Sequence, residues 1–401
     1  MKAVIMAGGF GTRLRPLTTH LPKPLVPVGN VPIMEHTVRL LQRHGFTDLV
    51  VLLYFLPETI IAHFGDGAPW GIRMSYVTPT ADLGTAGAVK FAAGELAEPV
   101  LVISGDVITD FDLSAAVAFH RDCAAEATMV LTRVDSPLAY GIVITDPAGR
   151  VIRFLEKPTW GEVFSDTINT GIYVLQPAAL AAVPSGRPYD FGKELFPALL
   201  ASGRPLYGHV AEGYWRDVGD LSEYRKAHID LLQGVVGVDI AGTRHEGAGH
   251  TVWLDEGARV DYTAKLSGSV ILGRGVQVAP GARLANCVIG AGSVIQTGAD
   301  IEGSVLWADV QVGPGATIKE AIVCRKAAIG ANAFLAEGVV VGDFCKIGES
   351  SVIKANAKVW PYKEVEDGAT LATSLVWGER WSRSIFGPYG VSGLANIEIS
   401  P

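Results

Sequence analysis

The sequence predicts an α/β domain built on a mostly parallel mixed sheet, followed by a left-handed parallel β-helix. Two rhythms carry this reading. Up to about Gly234, short apolar runs alternate with helix-like segments: AVIMA, PIMEHTVRLLQRHG, DLVVLLYF, GAVKFAAGEL and PVLVISGD. Continuous apolar strands separated by amphipathic helices belong to a sheet buried on both faces. Beyond about Asp261, aliphatic residues recur at every sixth position instead.

The second rhythm can be counted. Leu272, Val278 and Leu284 are six apart, as are Ile289, Ile295 and Ile301, and Leu306, Val312 and Ile318. The step between these sets is five, which makes a coil of seventeen residues; from Ile329 the sixes run unbroken through Leu335, Val341, Ile347, Ile353 and Val359. One inward aliphatic residue on each of three short sides is the signature of stacked parallel coils. Glycine follows the apolar position at Gly273, Gly290, Gly313, Gly330, Gly342 and Gly348, where a corner leaves no room for a Cβ. A sandwich of ordinary strands would show plain alternation and longer irregular loops. The expected division is residues 1–233 for the α/β domain, 234–261 for a linker, 262–368 for the β-helix and 369–401 for an aromatic tail.

The totals narrow the function. With 401 residues, two cores are expected, because single cores stop growing at about 250–300 residues. A formal net charge of −8 argues against nucleic acid as the main partner, since backbone binding needs a basic face. Cys123, Cys287, Cys324 and Cys345 are scattered, without a CxxC pair or a histidine cluster, so neither a disulfide framework nor a zinc site is expected and a reducing cytoplasm fits best. No run of about 20 apolar residues marks a membrane span.

The first strand ends in GGFGTRLRPLTTHLPKP. This is not a dinucleotide fingerprint, because Leu14 stands where GxGxxG needs glycine, and it is not GxxxxGK[ST]. A glycine-rich turn after a strand nonetheless offers backbone N–H groups to an anion, and Arg13, Arg15 and Lys23 add positive charge. The alternative is a plain strand-to-helix turn whose basic residues are solvated. Both GGFGTR and SGD stand at the carboxyl ends of strands, where sheets of this kind bind ligands.

Seven motifs in order make residues Met1 to Asp230 resemble the sugar nucleotidyltransferases, which join a nucleoside triphosphate to a sugar 1-phosphate. They are GGFGTRLRPLT with PKP, LGTAG at Leu83–Gly87, SGD at Ser104–Asp106, YG at Tyr140–Gly141, FLEKP at Phe154–Pro158, NTGIY at Asn169–Tyr173 and WRDVG at Trp215–Gly219. The resemblance implies a Rossmann-like nucleotidyltransferase domain in which Mg²⁺ is held by Asp106 and Asp217. It implies that Arg13 stabilises charge on the α- and leaving phosphates, that Lys23 contacts the nucleotide phosphates and that Lys157 holds the sugar phosphate in line. Nucleotide binding would fall to Ala7, Gly8, Gly9, Gly11, Thr12, Arg13, Lys23, Gly84, Thr85 and Asp106. The sugar would meet Gly141, Glu156, Lys157, Asn169 and Thr170. Glu156 reads equally as a surface partner of Lys157, and Asn169 as a turn residue before Gly171. Glu35 and His36, on a helix, read as ordinary exposed surface, and Asp110 and Asp112 as either groups behind the metal site or, for Asp112, a helix N-cap.

LGTAG, SGD and FLEKP together with a hexapeptide β-helix most resemble the mannose-1-phosphate guanylyltransferases, which make GDP-mannose from GTP. In VTPTADLGTAG, Thr80 stands where that family commonly has an acid, so transfer from dTTP or UTP to glucose 1-phosphate is the alternative. All nine histidines lie at or before His250, so the β-helix lacks the catalytic histidine of hexapeptide acyltransferases and reads as an assembly or regulatory element, through which the chain is expected to form homo-oligomers. A regulatory homologue without activity would have lost one of Arg13, Lys23, Asp106, Lys157 or Asp217; all five are present. The last segment, IFGPYGVSGLANIEISP, resembles the opening of phosphohexomutases, with Ser392 where arginine is common. It is expected either to lead into a fused mutase-like domain or to pack back on the β-helix.

Overall fold

The computed structural model describes residues 1–94 and 97–382. They form two compact units. The first comprises Met1–Gly11, Leu21–Leu25 and Ile33–Val218; the second comprises Thr12–His20, Val26–Pro32 and the chain from Gly219 on.

The first unit is built on a nine-stranded mixed sheet. Its main path runs Val151–Glu156, Gly141–Thr145, Thr167–Leu175, Val100–Ser104, Lys2–Ala7, Asp48–Leu53 and Arg73–Val77, with Ala127–Arg133 and Leu206–Val210 attached beside Thr167–Leu175. Lys2–Ala7 lies parallel to both Asp48–Leu53 and Val100–Ser104, so Ala7 and Ser104 end at the same edge. Period-two side chains split the core in two. Ala3, Ile5, Leu49, Val51, Leu101 and Ile103 pack on one face with Met34, Val38 and Leu41 of the helix Ile33–Arg43. Val4, Val50 and Val102 pack on the other with Ala86, Val89 and Ala93 of the helix Gly84–Ala93. Among the described residues, no helix is long and apolar enough to cross a membrane.

The second unit is a left-handed parallel β-helix carrying the helix Leu221–Leu232. Its registers reproduce the counted period: Arg283, Asp300, Thr317 and Phe334 stack at seventeen-residue steps, and Phe334, Val352 and Thr370 at eighteen. The interior is mainly aliphatic, with Leu272, Leu284, Ile289, Ile295, Ile301, Leu306 and Val312 fully buried and Cys287 and Cys345 among them. The glycine corners are steric: a Cβ on Gly330 would lie 2.6 Å from the Glu349 nitrogen of the next coil.

Both expected edges of the β-helix shift. Residues 234–261, expected as a linker, hold the hairpin Thr243–Gly247 and His250–Leu254, and the latter pairs in parallel with Lys265–Leu272. Leu254, Val260 and Leu266 already stand six apart and pack on the core; no corner glycine after them marks the pattern. At the other end Thr370–Leu371 and Arg380–Trp381 join the ladders, so the coils run through the start of the expected tail. The segment IFGPYGVSGLANIEISP lies outside the described residues. By contacts, the helix Leu221–Leu232 and two pieces of the signature segment group with the β-helix.

Candidate active site

The SGD motif builds a carboxylate site from three small decisions. Ser104 ends its strand and its Oγ donates to Asp106 Oδ1 at 2.5 Å. Gly105 lets the chain press against the first strand: its N–H donates to the Met6 carbonyl at 2.9 Å, and a Cβ there would stand 3.0 Å from Ile5. Val107–Thr109 then pairs antiparallel with Trp215–Asp217, opposing Asp217 to Val107. That register brings WRD beside SGD across a separation of more than a hundred residues. Asp110 closes the far end by accepting the Tyr214 N–H at 2.6 Å.

Lys23 completes the site. It lies on the one-turn helix Lys23–Leu25, nearly buried, and its ammonium sits 2.6 Å from Asp106 Oδ2 and 3.3 Å from Asp217 Oδ1. Burial alone would raise the Asp106 carboxyl, but the charge and hydrogen bond of Lys23, with the Ser104 hydroxyl, hold it below its ordinary value. Burial pulls Lys23 the other way, and the two carboxylates more than offset it, so the ammonium is held above its usual range. Among the described residues no group of three or more His, Cys, Asp or Glu gathers to hold a metal. Two carboxylates gathered on one cation nevertheless fit an ion of the magnesium type, which takes one or two carboxylates and fills its shell with water and phosphate oxygens.

Beside this pair opens a cavity of about 550 Å³, lined by Gly8, Gly9, Gly84, Thr85 and Asp106 and also by Tyr54, Asp82 and Asp190. Ala7 is buried at the end of its strand and is not among the lining residues. Gly84 is required: its φ is +62° and a Cβ would lie 2.7 Å from the Tyr189 nitrogen. The LGTAG loop is sewn to residues 189–191. Asp190 Oδ1 accepts from the Thr85 N–H and hydroxyl at 3.1 and 3.0 Å, and Thr85 Oγ1 in turn accepts the Phe191 N–H. Asp82 Oδ1 accepts the Gly84 N–H at 2.9 Å. Sequence reasoning passed over Asp190, which stands among the mixed residues of RPYDFGKELF with no motif to single it out.

On the other side of the sheet path, Gly141 and Gly192 form a slot for Glu156, whose Oε2 would stand 2.6 and 2.5 Å from a Cβ on either glycine. Burial pushes the Glu156 carboxyl up, only partly countered by Lys157 and Lys193. Glu156 is thus no mere surface partner of Lys157. Lys157 has φ +47° and is pinned by its N–H to the Tyr140 carbonyl at 3.0 Å. Asn169, with a turn residue as its alternative reading, instead lies in the strand Thr167–Leu175, paired with Leu131 where the register shifts before Ile172; its Oδ1 accepts the Gly171 N–H while its Nδ2 donates to the Tyr173 hydroxyl. Thr170 is buried with its hydroxyl on the Val130 carbonyl, and its own carbonyl accepts the Trp215 indole N–H at 3.1 Å. Thr12 and Arg13, both exposed, belong to the second unit and Gly11 to the first.

Asp112 is an N-cap, accepting the Ala115 N–H at 2.9 Å. Glu35 and His36, expected as exposed surface, are buried at 8% and 4% exposure, and Glu35 is paired with Arg39 and His63. The helix packs a wider face than its apolar pattern announced.

Residues 2–234 match the family model described as nucleotidyl transferase. The chain belongs to that family. Residues 249–353 match the model of the EIF2B subunit epsilon LbH domain. The transferase is 37% identical over 289 residues to the mannose-1-phosphate guanylyltransferase of Mycobacterium tuberculosis, covering 71% of this chain and 79% of that one. It is 34% identical over 302 residues to a UTP–glucose-1-phosphate uridylyltransferase of Synechocystis, covering 71% and 76%. It is 34% identical over 296 residues to the mannose-1-phosphate guanylyltransferase 1 of Arabidopsis thaliana, covering 72% and 80%. Among solved structures, a protein from Bacillus anthracis assigned as a glucose-1-phosphate thymidylyltransferase and crystallised with a sucrose has a TM-score of 0.52 at 26% identity, covering 57% of the transferase and 93% of that chain.

Proposed function

We propose that the enzyme transfers a guanylyl group from GTP to mannose 1-phosphate, giving GDP-mannose and pyrophosphate. The observation that carries transfer is the Asp106–Lys23–Asp217 cluster at the mouth of a cavity of nucleotide size. The choice of GTP and mannose is supported by the Mycobacterium tuberculosis and Arabidopsis relatives, with the Synechocystis uridylyltransferase standing for the alternative.

In the reaction an oxygen of the sugar phosphate bonds to the α-phosphorus of the nucleotide while the bond to the bridging oxygen of the β-phosphate breaks. Two polyanions meet, so positioning and charge neutralisation carry the rate. Magnesium, when bound at Asp106 and Asp217, supplies charge neutralisation at the phosphates. Lys23 supplies a cation already inside the site and turns to the nucleotide phosphates. Arg13 meets the charge developing on the α- and leaving phosphates, and removing such a contact costs on the order of 10²–10³ in rate. Lys157, fixed through the Tyr140 carbonyl, aligns the sugar phosphate. Glu156, set between Gly141 and Gly192, faces the sugar with Asn169 and the Thr170 backbone. Gly8, Gly9, Gly84 and Thr85 hold the base and ribose.

A panel of GTP, dTTP, UTP, ATP and CTP against mannose and glucose 1-phosphates, read by pyrophosphate release, tests the assignment. GTP with mannose 1-phosphate is the expected best pair; preference for UTP or dTTP with glucose 1-phosphate overturns it. A cytoplasmic location, in keeping with four free cysteines, and self-association through the β-helix complete the proposal. Light scattering on the intact protein checks the latter.

A further inference from the structure

Each coil of the β-helix turns through left-handed positions, and these stack in columns. One column runs Gly281, Gly298, Gly315, Asn332, Ser350 and Gly368, small residues suited to positive φ. A second runs Gly275, Gly292, Asp309, Lys326, Phe344 and Tyr362. Its last two members stand out, because a bulky side chain at φ +59° and +61° is strained where glycine or asparagine is not. Strain kept at defined positions points toward a use.

The use is visible in what these rings touch. Tyr362 stacks on Phe344 with centroids 4.9 Å apart and planes 3° from parallel, while the edge of His20 meets Tyr362 at 5.5 Å. Arg325 and Lys326 stand over the Phe344 ring at 6.0 and 5.7 Å. Beneath it, Arg325 Nε pairs with Asp343 Oδ2 at 3.0 Å, and the other oxygen of this buried carboxylate has no hydrogen-bond partner among the described residues. His20 belongs to the signature segment.

A second tie joins the same unit. In the hairpin Val26–Pro32, Asn30 Nδ2 donates to the Ile289 carbonyl of the β-helix at 2.9 Å. The Pro27 carbonyl accepts the Tyr224 hydroxyl at 2.8 Å, and that hydroxyl accepts the indole N–H of Trp307, next to the inward Leu306 of the β-helix, at 2.9 Å. Gly29 sits so close that a Cβ would stand 2.4 Å from Leu231. These contacts account for the grouping of Thr12–His20 and Val26–Pro32 with the β-helix, while Leu21–Leu25, with Lys23, stays in the first unit.

We propose that the β-helix is a working part of the transferase. Tyr362, through His20, and Asn30 with the Tyr224–Trp307 pair, through the hairpin, position the signature segment that carries Arg13 and flanks Lys23. These are positioning residues: they touch the segment, not the substrates. The role given to Arg13 rests on the function proposed above.

The test uses the full chain. Tyr362→Ala should lower kcat by about 10- to 100-fold, the cost of a small misplacement of reacting groups, with KM for both substrates within about three-fold of wild type. Amide exchange in residues 12–20 should speed up while the melting temperature holds, because Tyr362 is 60% exposed. Asn30→Gly keeps the left-handed backbone and removes only the side-chain bond; it should act in the same direction on exchange in residues 26–32. Tyr362→Phe should restore wild-type behaviour, and Tyr262→Ala, at a tyrosine 95% exposed on the same β-helix, should leave it unchanged. Wild-type kcat and exchange in both Tyr362→Ala and Asn30→Gly overturn the proposal, as does a loss of kcat matched by a general loss of stability. If the wild type turns over no sugar phosphate, the functional reading fails and the exchange arms still decide this one.

Discussion

Replacing Lys23 by methionine keeps the length of the side chain and deletes its charge. At an effective dielectric constant of about 20, an ammonium at the observed 2.6 and 3.3 Å from two carboxylate oxygens is attracted by roughly 6 and 5 kcal/mol. Most of this is offset by the cost of taking Lys23 out of water. Truncating one partner of a buried pair costs about 3–5 kcal/mol, and since Asp106 and Asp217 keep 28% and 29% of their side-chain surface, the lower end applies. About 3 kcal/mol corresponds to a fall of roughly 6–12 °C in the melting of a unit of this size. The same deletion removes a cation that competes for the two carboxylates, so the affinity for Mg²⁺ should rise while turnover collapses. Thermal melting in chelator and in excess Mg²⁺, with calorimetric titration of the ion, reads both effects. Lys23→Met should melt lower in chelator and recover at least half the loss with Mg²⁺, a larger gain than wild type shows. Equal melting of the two proteins in chelator would refute the stabilising pair, and equal affinity for Mg²⁺ would refute shared use of the carboxylates.

Three further outcomes are expected. Asp106→Asn and Asp217→Asn should each abolish turnover with the circular dichroism of the fold retained, and near wild-type rates at low Mg²⁺ in both would remove the metal assignment. His120, 1% exposed, has Nδ1 against the Thr128 hydroxyl and Nε2 accepting from Gln176; burial, with Arg121 beside it, pulls its pKa down to about 4. The unfolded chain takes up this proton near pH 6.5 and the folded one does not, so about 2 kcal/mol of stability should be lost between pH 7 and 5; His120→Gln should flatten that slope in urea titrations. Gly330→Ala, with its Cβ 2.6 Å from the next coil, should destabilise the β-helix by about 1–3 kcal/mol, measured by denaturant unfolding.

The β-helix was legible because its signal is redundant: Ile295, Val312, Ile329 and Ile347 repeat one decision coil after coil. Its first coil was missed where that redundancy thins, at Leu254 and Val260. The site was legible as motifs and silent as geometry. Nothing local says that Asp217 will stand beside Asp106, because the pairing is made between strands over a hundred residues apart. Asp190 was passed over for the same reason: its partner Thr85 lies 105 residues away. Glu35 was misjudged because a charge on a helix reads as solvent-facing until its partners, Arg39 and His63, are known. The division of the signature segment between two units follows from side chains such as Tyr362 that no reading of the segment itself contains.

The change from seventeen- to eighteen-residue coils has a bearing on how such a solenoid can be lengthened. Ile301, Ile318 and Leu335 stack on one side, and Leu306, Val323 and Val341 on the next. The added residue therefore enters at the corner between Leu335 and Val341 and leaves both inward columns in line. Corners of this column are insertion-tolerant seams, whereas one residue added on a flat side would turn every later side chain of that strand inside out. The wall can thus accept a single-residue insertion at this seam in the coils where only five residues separate the inward positions, between Leu284 and Ile289, Ile301 and Leu306, or Ile318 and Val323, without re-registering the coils above it, and a scan of one-residue insertions should find tolerated sites clustered at these three corners.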